Sequence, residues 1–338
     1  MAASTPPTPL HDVVQVIDFA EAEALLDFLN PRGQQWRPDF TGWVFRGQSE
    51  DWPLRAKLHR DGPWFDEFGL TMGSLLKVAE RGLWAEYDVR DLLLKFAAAL
   101  DRAGMAQPTV NPMTIGWRNP RRSAADPSDE LLPLLALAQH HGLPTPWLDW
   151  SFQPRTAVYF ACEGLVWDRK PKPPDGTGHV TFDERADHPG NLVIWCMRTP
   201  VFVPPALDVD LADGVWMSLE SAPHGGNARL HAQSGLFTWM HGPGAHATTV
   251  DEYLMKLHSQ KPEAALLYPG QKPPIMYKLT LPRHRAHRLL RLLAYDGVSG
   301  ATIYPDHSGV VKAIREQAWC EHRRGVAWLT YQILDNVP

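Results

Sequence analysis

The stretch Ala138-Gln139-His140-His141-Gly142-Leu143-Pro144-Thr145-Pro146-Trp147-Leu148-Asp149-Trp150-Ser151 decides how this chain folds. Asp129 to His141 reads as a helix. Gly142, with Pro144 just beyond, is a strong stop, because glycine accepts the left-handed conformation that ends a helix and proline cannot continue one. Trp147 to Trp150 then reads as a short strand. Arg155 to Val166 reads as a second helix, with Pro154 tolerated in its first turn. Strand alternation puts Trp147, Asp149 and Ser151 on one face and Leu148 and Trp150 on the other. Polar groups this close to apolar runs are costly to bury unless something pairs with them. The junction therefore marks a site as well as a change of element.

Working outward, Phe19 to Leu29 carries a helical stripe closed by Asn30-Pro31. Thr41 to Phe45 reads as a strand with Arg46 at its exit, and Leu70 to Leu100 is mostly helical in period. A loop rich in Pro, Asn and Arg follows from Gly104 to Ser128. Asn191 to Met197 reads as a buried strand and Met276 to Leu281 as another, with a helix around His287 to Leu293. Ala301 to Pro305 reads as a strand end, Ser308 as the cap of a helix over Gly309 to Glu321, and Val326 to Leu334 as a final strand. Short strands and helices out of strict alternation predict an α+β fold, a single mixed-sheet domain. The expected layout is a tail and helix over 1–39, the domain over 40–320 with a helical insertion at 61–130, and a C-terminal strand or tail over 321–338.

Composition narrows the function classes. The chain has 338 residues, 44% hydrophobic and 21% charged, which suits a globular protein with a substantial core. A net charge of -5 and a pI near 6.3 give no global attraction to nucleic acid or an anionic membrane. Three scattered cysteines argue against a disulfide framework or a cysteine-rich zinc site. The first residues lack a secretory signal, and Leu131 to Ala138 falls short of the roughly 20 residues that span a bilayer. The expectation is a soluble, cytoplasmic protein. There is no Gly-rich phosphate loop, no dinucleotide fingerprint, no His-Glu-x-x-His helix and no Gly-x-Ser-x-Gly elbow.

Arg46 is the sharpest single residue. At a strand end beside Gly47, its rigid five-donor fork suits a bidentate clamp on phosphate or carboxylate. The competing reading is an internal ion pair with a carboxylate such as Asp149. Asp149 and Ser151 share a strand face with Trp147, which suits a cleft with a stacking wall. Asp149 equally suits the ordering of a turn through backbone N–H groups. His140 and His141 project about a hundred degrees apart on a helix, so they suit hydrogen bonding better than joint metal ligation, and no metal is expected. Gln233-Ser234-Gly235-Leu236-Phe237-Thr238 reads as a helix-to-strand turn; a glutamine cannot serve as a base and can tie down a loop. The fourteen tryptophans are spread through the chain and read as core and stacking platforms.

These residues resemble the FRG domain family, named for the tripeptide that stands here as Phe45-Arg46-Gly47. The resemblance extends to Gln48, the Gln139 to Thr145 block, Leu148-Asp149-Trp150-Ser151, Ala157-Val158-Tyr159-Phe160-Ala161, Gln233 to Thr238 and Ala301 to Asp306. It departs at His141, where the family often has an aromatic, and at Pro146, where it often has Arg. The motif order in turn looks like that of ADP-ribosyltransferases, with Arg46, Ser151 and Gln233 as counterparts of the Arg, Ser/Thr and Gln/Glu positions. That likeness implies NAD as the bound nucleotide, with Arg46 on the diphosphate and Ser151 supporting the nicotinamide pocket. Gly47, Gln48 and Trp147 would belong to the same cofactor-binding region, and His140, Asp149, Ser151 and Gln233 to the catalytic group. The usual glutamate is missing, and Glu316, Glu163 and Asp149 are the candidates to replace it. The implied role is an effector or toxin, acting for example in phage defence on a macromolecular acceptor. Two alternatives stay open: a non-catalytic module binding a nucleotide or phosphorylated ligand, and a nuclease or hydrolase using His140 or His141 with Asp149.

Overall fold

The structure is a computed structural model that describes residues 13–37, 42–60, 86–106, 132–167, 189–199, 211–220, 233, 235–242, 244–261 and 274–321. Its strands are β1 (Val14–Asp18), β2 (Trp43–Gln48), β3 (Trp147–Ser151), β4 (Asn191–Arg198), β5 (Trp216–Glu220), β6 (Gly235–His241) and β7 (Met276–Pro282). The helices described are α1 (Ala22–Phe28), α2 (Glu86–Arg102), α3 (Leu132–His140), α4 (Pro154–Trp167), α5 (Val250–Gln260), α6 (Ala286–Tyr295), α7 (Gly300–Ile303) and α8 (His307–Glu321).

All seven strands join in one sheet in the order β1-β7-β4-β2-β3-β6-β5. β1 runs parallel to β7, and the remaining pairs are antiparallel. This is the mixed-sheet α+β fold that the element order predicts. β4 lies near the middle, buried on both faces from Leu192 onward, which explains its unbroken Leu-Val-Ile-Trp-Cys-Met run. Its alternate residues feed two cores. Leu192, Ile194 and Cys196 pack with α1, α4 and α6 on one face of the sheet. Val193, Trp195 and Met197 pack with α5 and the residues around Leu211 to Met217 on the other.

Several element ends differ from the sequence reading. Arg46 lies inside β2, which continues to Gln48. Ala301 to Ile303 belongs to the short helix α7, not to a strand; Ser299 and Thr302 cap it reciprocally and so override the β-branched residues. α8 begins at His307, and its cap acceptor is Asp306: Gly309 N donates to Asp306 Oδ1 at 3.0 Å, and the Ser308 hydroxyl donates to the same oxygen at 2.6 Å. β1 and β5 carry no reading in the sequence analysis. Of the predicted helical insertion, α2 and the residues to 106 are described, and α2 packs on α3. The C-terminal strand reading over Val326 to Leu334 lies outside the described residues. Among the described residues, no helix is long and apolar enough to cross a membrane.

Candidate functional site

The site forms where the sheet opens. β2 and β3 share a single paired position, Phe45 with Ser151, while each is fully paired on its other side with β4 or β6. Beyond that position the two strands separate, and a cavity of about 380 Å³ occupies the gap. Arg46, Asp149, Ser151, His140 and Gln233 line it, with Phe160, Phe237 and Tyr304 among its aromatic walls. Six separated stretches of sequence thus meet on one concavity.

The end of α3 positions the polar side. Gly142 adopts φ +91°, and Leu143 N donates back to Ala138 O at 3.0 Å, so the chain reverses sharply. The reversal returns Thr145 to Gln139, where the Thr145 hydroxyl donates to Gln139 Oε1 at 2.6 Å. With its oxygen so occupied, the Gln139 amide turns its N–H toward Asp149 and donates to the carboxylate Oδ1.

Asp149 is then approached from the other side by Arg46. Nη1 donates to the Asp149 backbone carbonyl at 2.8 Å and lies 3.5 Å from the carboxylate Oδ2. The Arg46 side chain is 15% exposed and that of Asp149 57%. An ion pair with one half-solvated partner contributes little stability. The pair is a feature of the cavity wall, not a sealed core bridge. Burial lowers the pKa of Arg46, and the Asp149 carboxylate pulls it back up. Arg46 Nε is buried with no acceptor among the described residues. Arg46 is thus paired with Asp149, as the ion-pair reading has it, and it also lines the cavity.

Ser151 uses its hydroxyl on the main chain, donating to Gln233 O at 2.7 Å and accepting from Gln153 N at 3.0 Å. It ties the end of β3 to the backbone of Gln233 and to the start of α4. Gln233 reaches Ile303 O at 3.5 Å, the limit of a hydrogen bond, so its amide is loosely held. His140 lines the cavity with its ring edge-on to His141, 4.9 Å between centroids. Among the described residues, no group of three or more His, Cys, Asp or Glu side chains is arranged to hold a metal ion.

Gly47 lines the cavity as well, but two residues anticipated as cofactor-binding do not. Gln48 is 3% exposed and accepts from Trp195 Nε1 at 3.0 Å, within the face beneath the sheet. Trp147 is 2% exposed and stacks on Phe237, 4.4 Å between centroids. It backs Phe237 behind this cavity and itself lines a second, smaller one. Two of the three candidate carboxylates are also committed elsewhere. Glu316 accepts from Tyr159 Oη at 2.5 Å and Gly300 N at 3.0 Å. Glu163 accepts from Tyr304 Oη at 2.7 Å and pairs with Lys312. Asp149 is the carboxylate that lines the cavity.

The sequence reading did not single out Phe160 or Tyr304, although both lie inside quoted blocks of the resemblance. It also missed Lys57 and Arg60, which have no motif around them. They line a second cavity of about 280 Å³ that shares Arg46, Gln139 and Asp149 with the first.

Comparison with known proteins gives one family finding. No curated protein and no solved structure matches the chain. The FRG domain, as a family model, matches residues 41–168, a span that takes in β2, α3, β3 and α4 but not Gln233 or Tyr304. Four of the elements that line the cavity thus come from the matched segment, and the chain contains an FRG domain over residues 41–168.

Proposed function

We propose that the cavity binds NAD and that the protein is an ADP-ribosyltransferase-like effector, with a toxin role in phage defence as its biological setting. The observation that carries this reading is that Arg46, Ser151 and Gln233, separated by 105 and 82 residues respectively, line one cavity together with Asp149. A volume of about 380 Å³ falls in the range of about 300–1,000 Å³ typical of small-molecule sites.

In this reading the guanidinium of Arg46 takes the diphosphate as a charge-assisted pair. The bond that breaks joins ribose C1′ to the nicotinamide nitrogen, and its electron pair leaves with nicotinamide. Positive charge develops on the ribose, and the acceptor's nucleophile forms the new bond at C1′ while its proton passes to solvent or a nearby base. Asp149 supplies the negative charge that stabilises the ribose cation, the type of electrostatic contribution that dominates many active sites. Gln233 offers its amide to a ribose hydroxyl, and Ser151 holds the Gln233 backbone against β3. His140 borders the same space and suits the role of proton acceptor.

The test is direct. Purified protein with NAD, alone and with cell lysate as a source of acceptor, should release free nicotinamide, and Arg46→Ala should abolish the release. No release under either condition would defeat the proposal. A specific observation favours one rival: Gln233 is neutral, and Asp149 is already engaged by Arg46 and Gln139. A non-catalytic nucleotide-binding module needs no free carboxylate, and it would show ligand binding lost in Arg46→Ala without turnover.

A further inference from the structure

The second cavity carries an imbalance of charge that the first does not explain. Its wall holds Arg46, Lys57 and Arg60 against a single carboxylate, Asp149. Asp149 already pairs with Arg46. Lys57 donates to Gly142 O at 2.8 Å and Arg60 Nε donates to Arg55 O at 2.7 Å, both neutral acceptors. Among the described residues, no carboxylate lies within ion-pair distance of Lys57 or Arg60. Arg60 is partly buried, and burial followed by the nearby Arg46 charge pushes its pKa down to about 10 against the opposing pull of the Asp149 carboxylate.

A solvated surface cation needs no partner, and Lys57 alone fits that description. Arg60 does not. A guanidinium drawn into a concave wall beside a second guanidinium is destabilised by both desolvation and like charge. An anion entering between them would relieve both. Guanidinium forks match phosphate oxygens with two parallel hydrogen bonds, and an ammonium adds a point charge.

We infer that this cavity is a phosphate subsite, in which Arg60 and Lys57 hold a phosphate group on the far side of the Arg46–Asp149 pair. The inference does not require NAD to be the ligand of the first cavity. Its test is binding, so its failure and a failure of nicotinamide release are separate results. The phosphate group has two sources, a free inorganic anion or a nucleotide carrying it, and one experiment separates them.

The experiment titrates the full chain calorimetrically with inorganic pyrophosphate, with a nucleoside 5′-diphosphate and with the bare nucleoside. Wild type should bind both phosphate-bearing probes in a salt-sensitive manner. Lys57→Gln with Arg60→Gln should weaken both at least tenfold and leave nucleoside binding unchanged. Tighter binding of the nucleoside diphosphate than of pyrophosphate assigns the phosphate to a nucleotide; equal binding assigns it to the inorganic anion. Should the double variant fold poorly, Lys57→Gln alone is the second readout, with an expected threefold to fivefold loss from an exposed position. Undiminished binding in a folded variant, or no binding of either phosphate probe to wild type at millimolar concentration, overturns the inference.

Discussion

A Cβ placed on Gly47 would stand 1.8 Å from the carbonyl oxygen of Ala157 and 2.8 Å from the amide nitrogen of Ala161. The backbone of β2 therefore touches the backbone of α4 with no room for a side chain. The three residues of the Phe45-Arg46-Gly47 tripeptide divide the work. Phe45 is fully buried in the core beneath α4, Arg46 turns to the cavity, and Gly47 sets the distance between strand and helix.

Gly47→Ala should thus act on the fold before it acts on any ligand. Its neighbours are main-chain atoms, which cannot step aside as a flexible side chain would. Overpacking of this kind costs about 3 kcal/mol. For a domain of this size that corresponds to a melting temperature lower by on the order of 10 °C. Differential scanning calorimetry measures it. An unchanged melting temperature would mean that α4 lifts freely from the sheet, against the buried packing of Ala157, Val158 and Ala161.

Glu316 separates a structural acid from a catalytic one. Its carboxylate is 6% exposed and satisfies both the Tyr159 hydroxyl and the Gly300 amide. Glu316→Ala leaves two buried donors without an acceptor, at about 1–3 kcal/mol for each. Glu316→Gln keeps one acceptor oxygen and should lose much less. Urea unfolding gives both values. If Glu316→Ala were as stable as wild type yet failed to turn over NAD, the carboxylate would belong to the chemistry after all.

The parts of this structure that the sequence shows openly share one property: their physical signal is local. Gly142 and Pro144 end α3 by backbone conformation alone, and the apolar run of β4 follows from burial on both faces. Val14–Asp18 gives no such signal, because as an edge strand its side chains are mostly half-buried or exposed and its alternation is blurred. The α7 segment misleads for a different reason. Ala-Thr-Ile-Tyr has strand propensity, but the Ser299 and Thr302 caps and the close approach of Gly300 to α8 hold it as a helical turn. At the site, Arg46, Asp149, Ser151 and Gln233 were legible because polar residues stood where propensity could not account for them. Lys57 and Arg60 stood on a surface-like stretch, and only the tertiary fold brings them beside Arg46.

His241 and His59 predict a fall in stability on the acid side. The His241 ring stacks between Trp216 and Trp239, at 3.8 and 4.6 Å between centroids, with the Ser218 hydroxyl 2.9 Å from Nε2. Burial, and then the neighbouring His59, push its pKa down to about 3. Burial, with His246 and Arg55 nearby, pushes that of His59 down to about 4. In the unfolded chain both titrate near 6.5. Below that pH the unfolded chain holds more protons, so stability is complete above about pH 6.5 and is lost as pH falls through about 4 for His59 and about 3 for His241. His241→Phe keeps a stacked ring without a titrating group, so its stability should fall less steeply between about pH 6.5 and 4.5. Chemical denaturation across that range measures both slopes, and equal slopes would show that His241 is not held neutral by the fold.

The last prediction turns on the two separate ways in which Asp149 meets Arg46. Its backbone carbonyl takes the close hydrogen bond at 2.8 Å, while its carboxylate stands farther off at 3.5 Å. Asp149→Asn leaves the carbonyl in place, so the guanidinium should keep its position and the fold its stability. What is lost is a negative charge that competes with any anionic ligand for Arg46. Ligand affinity should hold or rise, whereas nicotinamide release should fall on the order of 100-fold if that charge stabilises the ribose cation. Arg46→Ala should differ in affinity, losing at least tenfold, while its turnover falls as well. Comparing the dissociation constant with the single-turnover rate for the two variants separates the effects. A turnover rate for Asp149→Asn equal to wild type would remove the carboxylate from the chemistry and leave Arg46 as a binding group alone.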